Sequence, residues 1–219
     1  RNREALEGIG EHPGDWLILA GDLCETAEQL RYVFEFLTPR FEKLLWVPGN
    51  HELWTKPDAE RRGVAHYDHL VDLARSLGVV TPEDPYPLYE GPGGPAYVCP
   101  LFLLYDYSFR DEGLTKEEAL RRSAKSGITC SDEWLLSPQP YASREDWCTD
   151  RLKLTEARLS ELPTSTPKVL VNHFPLRWDL VRIPRIQSFE LWCGTRATED
   201  WHKRWGASVC VHGRQRSQC

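Results

Sequence analysis

Leu44-Leu45-Trp46-Val47-Pro48-Gly49-Asn50-His51-Glu52 is the stretch that decides the fold. Four large apolar residues run without a polar break. Pro-Gly then turns the chain, and a carboxamide, an imidazole and a carboxylate follow. Such a run, closed by a turn, reads as a strand buried on both faces of a parallel sheet. The polar residues then lie at the strand's carboxyl end, the edge where open α/β sheets bind ligands. The same pattern recurs on either side. Trp16-Leu17-Ile18-Leu19-Ala20-Gly21 leads into Asp22, and Val169-Leu170-Val171-Asn172 leads into His173. A carboxylate, a carboxamide beside an imidazole, and a second imidazole are therefore expected together. That set suits a hard-to-borderline metal ion with a proton donor beside it.

The motifs Gly21-Asp22, Gly49-Asn50-His51-Glu52 and Asn172-His173-Phe174-Pro175, in that order, resemble the calcineurin-like metallophosphoesterase family. The resemblance spans most of the chain, and Gly-Asn-His-Glu between Gly-Asp and a later strand-end His is its specific part. It implies an α/β sandwich of two β-sheets flanked by helices, incomplete at both ends. It also implies hydrolysis of a phosphate mono- or diester by a metal-activated water. The cofactors expected are two divalent ions (Mn, Fe, Zn or Ni), and the expected partner is a small phosphorylated substrate. By the family pattern Asp22 bridges the two cations, Asn50 and His173 ligate the second, and His51 protonates the leaving oxygen. An imidazole ordinarily titrates near pH 6.5, which suits that task. Taken singly, each residue has a plainer reading. Asp22 could cap the next helix, Asn50 could shape a turn, and His173 could be a satisfied core histidine. Glu52 reads as a cap for the segment after it, or as a support for His51.

Two parts of the family pattern are missing. The family opens with a strand ending in Asp-x-His, whereas this chain opens at Arg1 inside an expected helix (Arg3 to Ile9) and contains no Met. The expectation is that the first strand and its ligands have been lost. The family closes its site with Gly-His-x-His. Here Gly213 is followed by Arg214-Gln215-Arg216, and the sequence ends at Cys219. Arginines at both places support a second reading, a non-catalytic relative that binds a phosphate-bearing ligand or a protein.

Composition fits one domain over 1–219 with a core of its own. The net charge of −6 gives no bulk attraction to nucleic acid or to an anionic membrane. No apolar run reaches the roughly 18 residues of a membrane span. Seven scattered cysteines without a Cys-x-x-Cys pair read as free thiols in a reducing cytoplasm. The oligomeric state is open at this level.

Strands and helices alternate along the chain. Thr26-Ala27-Glu28-Gln29 reads as a capping box before a helix that ends at Pro39. A helix is expected from His66 to Leu77, a loop from Thr81 to Pro95, a strand from Ala96 to Leu104, and a long helix from Arg144 to Leu162. Residues 105–142 break the alternation. They read as an insertion on the active-site side, either a lid or a packing elaboration. Tyr105 and Asp106, at another strand end, read equally as substrate contacts or as a surface turn, and Arg177, Arg182 and Arg185, after the His173 turn, read as a solvated basic stretch before they read as a phosphate grip. Cys24 and Glu25 follow Asp22 without an assigned metal, and His212 reads as structural.

Overall fold

A computed structural model describes residues 2–181, 183 and 187–213. Two sheets face each other. In the first, β1 (His12–Leu19) lies parallel to β2 (Phe41–Trp46), with Leu17 opposite Leu44 and Leu19 opposite Trp46. The second has the order β3 (Leu88–Tyr89), β4 (Ala96–Pro100), β5 (Lys168–Asn172) and β6 (Ala207–His212). β4, β5 and β6 are parallel, and β3 pairs antiparallel with β4. Leu45 of the first sheet, with Val47 just past the end of β2, meets Val98 and Val171 of the second in a shared apolar layer. The expected two-sheet sandwich is thus the observed architecture.

Helices cover the outer faces. Those named here are α1 (Asn2–Glu7), α2 (Ala27–Leu37), α3 (Val64–Ser76), α4 (Lys116–Lys125), α5 (Asp132–Leu135), α6 (Arg144–Ser160) and α7 (Trp201–Arg204). α2 buries Leu30, Phe34 and Leu37 at helical spacing against Trp46 and the α3 face of Leu70, Val71 and Ala74. α6 bridges two cores, with Trp147 in the one beneath α2 and α3 and Leu159 in the one around Trp201. Among the described residues no helix is long and apolar enough to cross a membrane.

Local chemistry accounts for the departures from the sequence reading. β1 begins four residues earlier than expected and is exposed over its first half, because among the described residues it pairs with β2 alone. β4 stops at Pro100, although residues 101–104 are buried. Side chains take over from the ladder there. Asn172 Oδ1 accepts the Leu103 N–H at 3.0 Å, and Arg151 Nε donates to the Phe102 carbonyl at 3.1 Å. The proline-rich loop holds the two-residue strand β3, too short to carry a periodic signal. At the start of α2, Thr26 accepts the Gln29 N–H, but Gln29 Oε1 takes the N–H of Glu25 rather than of Thr26. The full capping box belongs to α4, between Thr115 and Glu118.

Candidate active site

Asp22 follows β1, Asn50 and His51 follow β2, and His173 follows β5, so all four stand at carboxyl ends of parallel strands. They line one cavity of about 360 Å³ together with Trp54, residues 129–132, Phe174, Phe189 and Trp192. A larger groove of about 940 Å³ beside α1 and α2 also reaches Asp22 and His51.

Three glycines let the strand ends approach this closely. Gly21 has φ +81°, and a Cβ there would lie 2.5 Å from the Gly49 nitrogen and 2.6 Å from His173 Nδ1. A Cβ on Gly49 would overlap Asp22 Oδ1. One on Gly213 would lie 2.7 Å from His173 Nδ1 and 2.8 Å from the Ala20 carbonyl oxygen. Asp22 itself sits at φ +57°, in the left-handed region that Asp tolerates better than most residues.

The two sheets are joined at this point by His173. Its Nδ1 lies 2.8 Å from the Ala20 carbonyl oxygen, which fixes the proton on Nδ1 and turns Nε2 toward Asp22 Oδ2 at 3.4 Å. Burial works against charge on both groups. For Asp22, His173 and the His51 N–H outweigh it and hold the carboxyl below the usual carboxylate range. For His173, the Asp22 carboxylate outweighs it and raises the imidazole.

Asn50 donates from Nδ2 to Asp132 Oδ1 at 2.9 Å. The same oxygen accepts the Trp54 indole N–H at 2.6 Å. Trp54 in turn stacks on His51, with ring centroids 3.7 Å apart and a tilt of 30°. His51 Nδ1 lies 3.2 Å from Glu25 Oε1, and the ring is mostly covered. Nε2 is thus the atom left to face a substrate.

The donor set suits a divalent cation. Two ligands at about 2.0–2.2 Å from one ion lie roughly 3–3.5 Å apart, the span seen between Asp22 Oδ2 and His173 Nε2. The Ala20 bond to Nδ1 is the kind of support that orients a ligating imidazole. With Nδ2 committed to Asp132, the Asn50 oxygen is the atom available to an ion. Among the described residues no group of three His, Cys, Asp or Glu side chains surrounds one point, and Asn50 is of none of these types. Arg214 and Arg216 lie outside the described residues.

Glu52 departs from both of its sequence readings. Its buried carboxylate accepts the N–H groups of Asp22, Leu23 and Gly49, so it reaches backwards instead of capping forwards. Tyr105 is buried edge-on against Phe174, and both Asp106 oxygens are engaged, by the Ser108 N–H and the Thr195 hydroxyl. Arg177 forks onto Asp179 with bonds of 2.9 and 2.6 Å, whereas Arg182 and Arg185 lie outside the described residues. Burial, with the Glu52 charge behind it, pushes the Cys24 thiol up to about 12. His212 Nδ1 stays near the Gly213 carbonyl. Sequence reasoning missed Trp54 and Asp132. Trp54 stands three residues beyond His51, a spacing that could have flagged it. Nothing in sequence links Asp132 to a residue 82 positions away.

The sequence matches the model of the calcineurin-like phosphoesterase family over residues 1–213. It is 47% identical over 204 residues to an [acyl-carrier-protein] phosphodiesterase, PptH, of Mycobacterium tuberculosis (strain ATCC 25618 / H37Rv). That alignment takes in 92% of this chain, and the chain spans 63% of the relative's length. The crystal structure of phosphopantetheinyl hydrolase (PptH) from Mycobacterium tuberculosis superposes with a TM-score of 0.91 at 44% identity, covering 99% of this chain and 78% of that one. With its strand-end Asp, Asn-His and His brought to one cavity, the chain belongs to the calcineurin-like phosphoesterase family.

Proposed function

We propose that the protein is a metal-dependent phosphodiesterase whose substrate is an acyl-carrier protein bearing a phosphopantetheinyl group. The single observation behind the substrate is the 47% identity to a relative named for that activity. The observation behind the chemistry is the convergence of Asp22, Asn50, His51 and His173. Asp22, Asn50 and His173 are the residues we assign to hold divalent cations. Bound cations supply positive charge for the phosphoryl oxygens and lower the pKa of the attacking water.

The protein's own groups account for the remainder. Asn50 contributes a neutral oxygen, which limits the negative charge facing an anionic diester. His51 holds a proton at Nε2 for the departing oxygen, so that the P–O bond breaks to a hydroxyl and not to an alkoxide. Glu25 at Nδ1 and the Trp54 face keep that ring in place. We further place residues 105–142 as an insertion of a single domain that forms part of the substrate cavity, since residues 129–132 line it. Free cysteines and the acidic balance suit the cytoplasm.

Incubating the full-length protein with Mn²⁺ and a phosphopantetheinylated acyl-carrier protein tests the reading. Mass spectrometry should show the carrier losing its phosphopantetheinyl group and gaining a free hydroxyl. An intact carrier beside rapid turnover of a small phosphate monoester would reject this substrate. No turnover of any phosphate ester would favour the binding protein suggested by Arg214 and Arg216.

A further inference from the structure

We propose that Asp132, delivered by the short helix α5, is a positioning residue for both halves of the site: it sets which atom of Asn50 meets the cation and it seats Trp54 beneath His51. The proposal rests on the reading of Asn50 as a cation ligand.

A carboxamide has nearly the same shape either way round, so only its neighbours decide whether oxygen or nitrogen faces the cavity. Asp132 Oδ1 accepts the Trp54 indole N–H at 2.6 Å and so stands as an acceptor, not a donor. Placed 2.9 Å from the Asn50 amide, it draws the NH₂ group to itself and leaves the oxygen for an ion. The flipped amide would set two oxygens against each other and offer the cation an N–H.

The second bond works on the acid. An indole nitrogen only donates, and Trp54 Nε1 donates to the same Asp132 oxygen at 2.6 Å. That bond fixes the rotation of the ring on which His51 stacks at 3.7 Å. One oxygen atom therefore connects a ligand from the β2 edge to the support of the neighbouring proton donor.

Asp132 is itself anchored. It is fully buried, and Arg144 donates to its carbonyl at 2.7 Å and to that of Leu136 at 3.2 Å. Thr55, just past Trp54, donates its N–H to the Leu135 carbonyl at 2.9 Å. The turn carrying Asp132 is thus tied to α6 on one side and to the segment after Glu52 on the other.

Calorimetric titration of the metal-free, full-length protein with Mn²⁺ tests this, using Asp132→Leu, Asp132→Ala, Asp132→Asn, Asn50→Ala and the Asn50→Ala/Asp132→Leu double variant. Removing support from behind a ligand typically weakens metal binding about 10–100-fold, and that loss is expected for Asp132→Leu. Asp132→Asn can set its amide oxygen at the Oδ1 position and keep both bonds, so it should bind nearly as wild type does. Because Asp132 acts through Asn50, the double variant should bind scarcely more weakly than Asn50→Ala alone. Wild-type affinity in a folded Asp132→Leu protein overturns the proposal, as do additive losses in the double variant. If Asp132→Leu does not fold, wild-type affinity in Asp132→Ala, which also lacks the acceptor oxygen, overturns it equally. Unchanged affinity in Asn50→Ala removes the ligand reading itself, and the proposal with it, by a separate signature.

Discussion

Glu52 holds Asp22 through the backbone: the Asp22 N–H donates to Glu52 Oε2 at 2.9 Å. The Gly49 N–H shares that oxygen at 3.0 Å, and the Leu23 N–H takes Oε1 at 2.7 Å. One buried carboxylate thus clamps the turn that presents Asp22 to the turn that presents Asn50. Asp22 has φ +57°, a conformation costing roughly 1–2 kcal/mol. Three hydrogen bonds to one carboxylate hold the segment that carries this strain in place. Burial and the nearby Asp22 charge still raise the Glu52 carboxyl above its ordinary range.

Glu52→Gln should therefore destabilise the fold without altering its shape. A carboxamide offers one acceptor oxygen, and its NH₂ must face at least one of the three N–H groups. The expected cost is about 1–3 kcal/mol, or roughly 2–4 °C of melting temperature per kcal/mol in a chain of this size. Scanning calorimetry of the two proteins reads it, and an unchanged melting temperature would show that the clamp carries no energy.

Gly21 and Gly78 form a matched pair for testing the close approach of the strand ends. Both have positive φ, at +81° and +75°. A methyl group on Gly78 meets nothing within 4 Å, whereas on Gly21 it collides with Gly49 and His173. Gly78→Ala should cost only the backbone term of about 1–2 kcal/mol and keep Mn²⁺ binding. Gly21→Ala should cost more and lose Mn²⁺ binding, because His173 must move. Equal behaviour of the two variants in titration calorimetry would contradict the packing argument.

Away from the site, Glu83 supplies a pH-dependent part of the stability. Its Oε1 accepts from Arg151 and from the Tyr67 hydroxyl, each at 2.6 Å. Burial works against its charge, but Arg151 and Tyr67 outweigh burial and lower the carboxyl. The folded state then binds this proton less readily than the unfolded state. Stabilisation is present above the ordinary glutamate value of 4.5 and is lost as pH falls through the lower folded value. In urea unfolding, wild type should exceed Glu83→Gln by about 1–3 kcal/mol at neutral pH. The gap should close below pH 4.5. A gap that persists or widens in acid would reverse the assignment.

How much could be read beforehand follows from the physics of each element. β2 and β5 were legible because burial imposes apolar runs ending in polar residues, and the half-exposed β6 was legible from its valines and cysteine. The first half of β1 was not, because the exposed residues His12-Pro13-Gly14-Asp15 carry no strand pattern. α5, with four residues, and β3, with two, span about one period each and so cannot show a repeat. The residues of the cavity divide in the same way. Asp22, Asn50, His51 and His173 announce themselves by following strands. Glu52 was visible as a residue, yet its backward reach depends on how two turns meet. Asp132 comes from a distant insertion, so its bond to Asn50 exists only in three dimensions.

Asp22 and His51 should fail in different ways when replaced. Asp22 touches His173 Nε2 through Oδ2 and the His51 N–H through Oδ1, so it stands between the two halves of the site. In the full-length protein Asp22→Asn should remove both Mn²⁺ binding and hydrolysis of an aryl phosphate diester, while circular dichroism stays that of wild type. His51 stands beside the donor set, held by Glu25 and Trp54, and its loss leaves Asp22, Asn50 and His173 in place. His51→Ala should keep most bound Mn²⁺ and slow the chemical step by about 10²–10⁴-fold, the usual contribution of a general acid. The loss should shrink for nitrophenyl esters, whose leaving oxygen needs no proton, and be largest for alkyl esters. Metal analysis and a leaving-group series on the same two variants decide the matter. An empty site in His51→Ala would make His51 a ligand, and an equal loss across leaving groups would remove it as the acid.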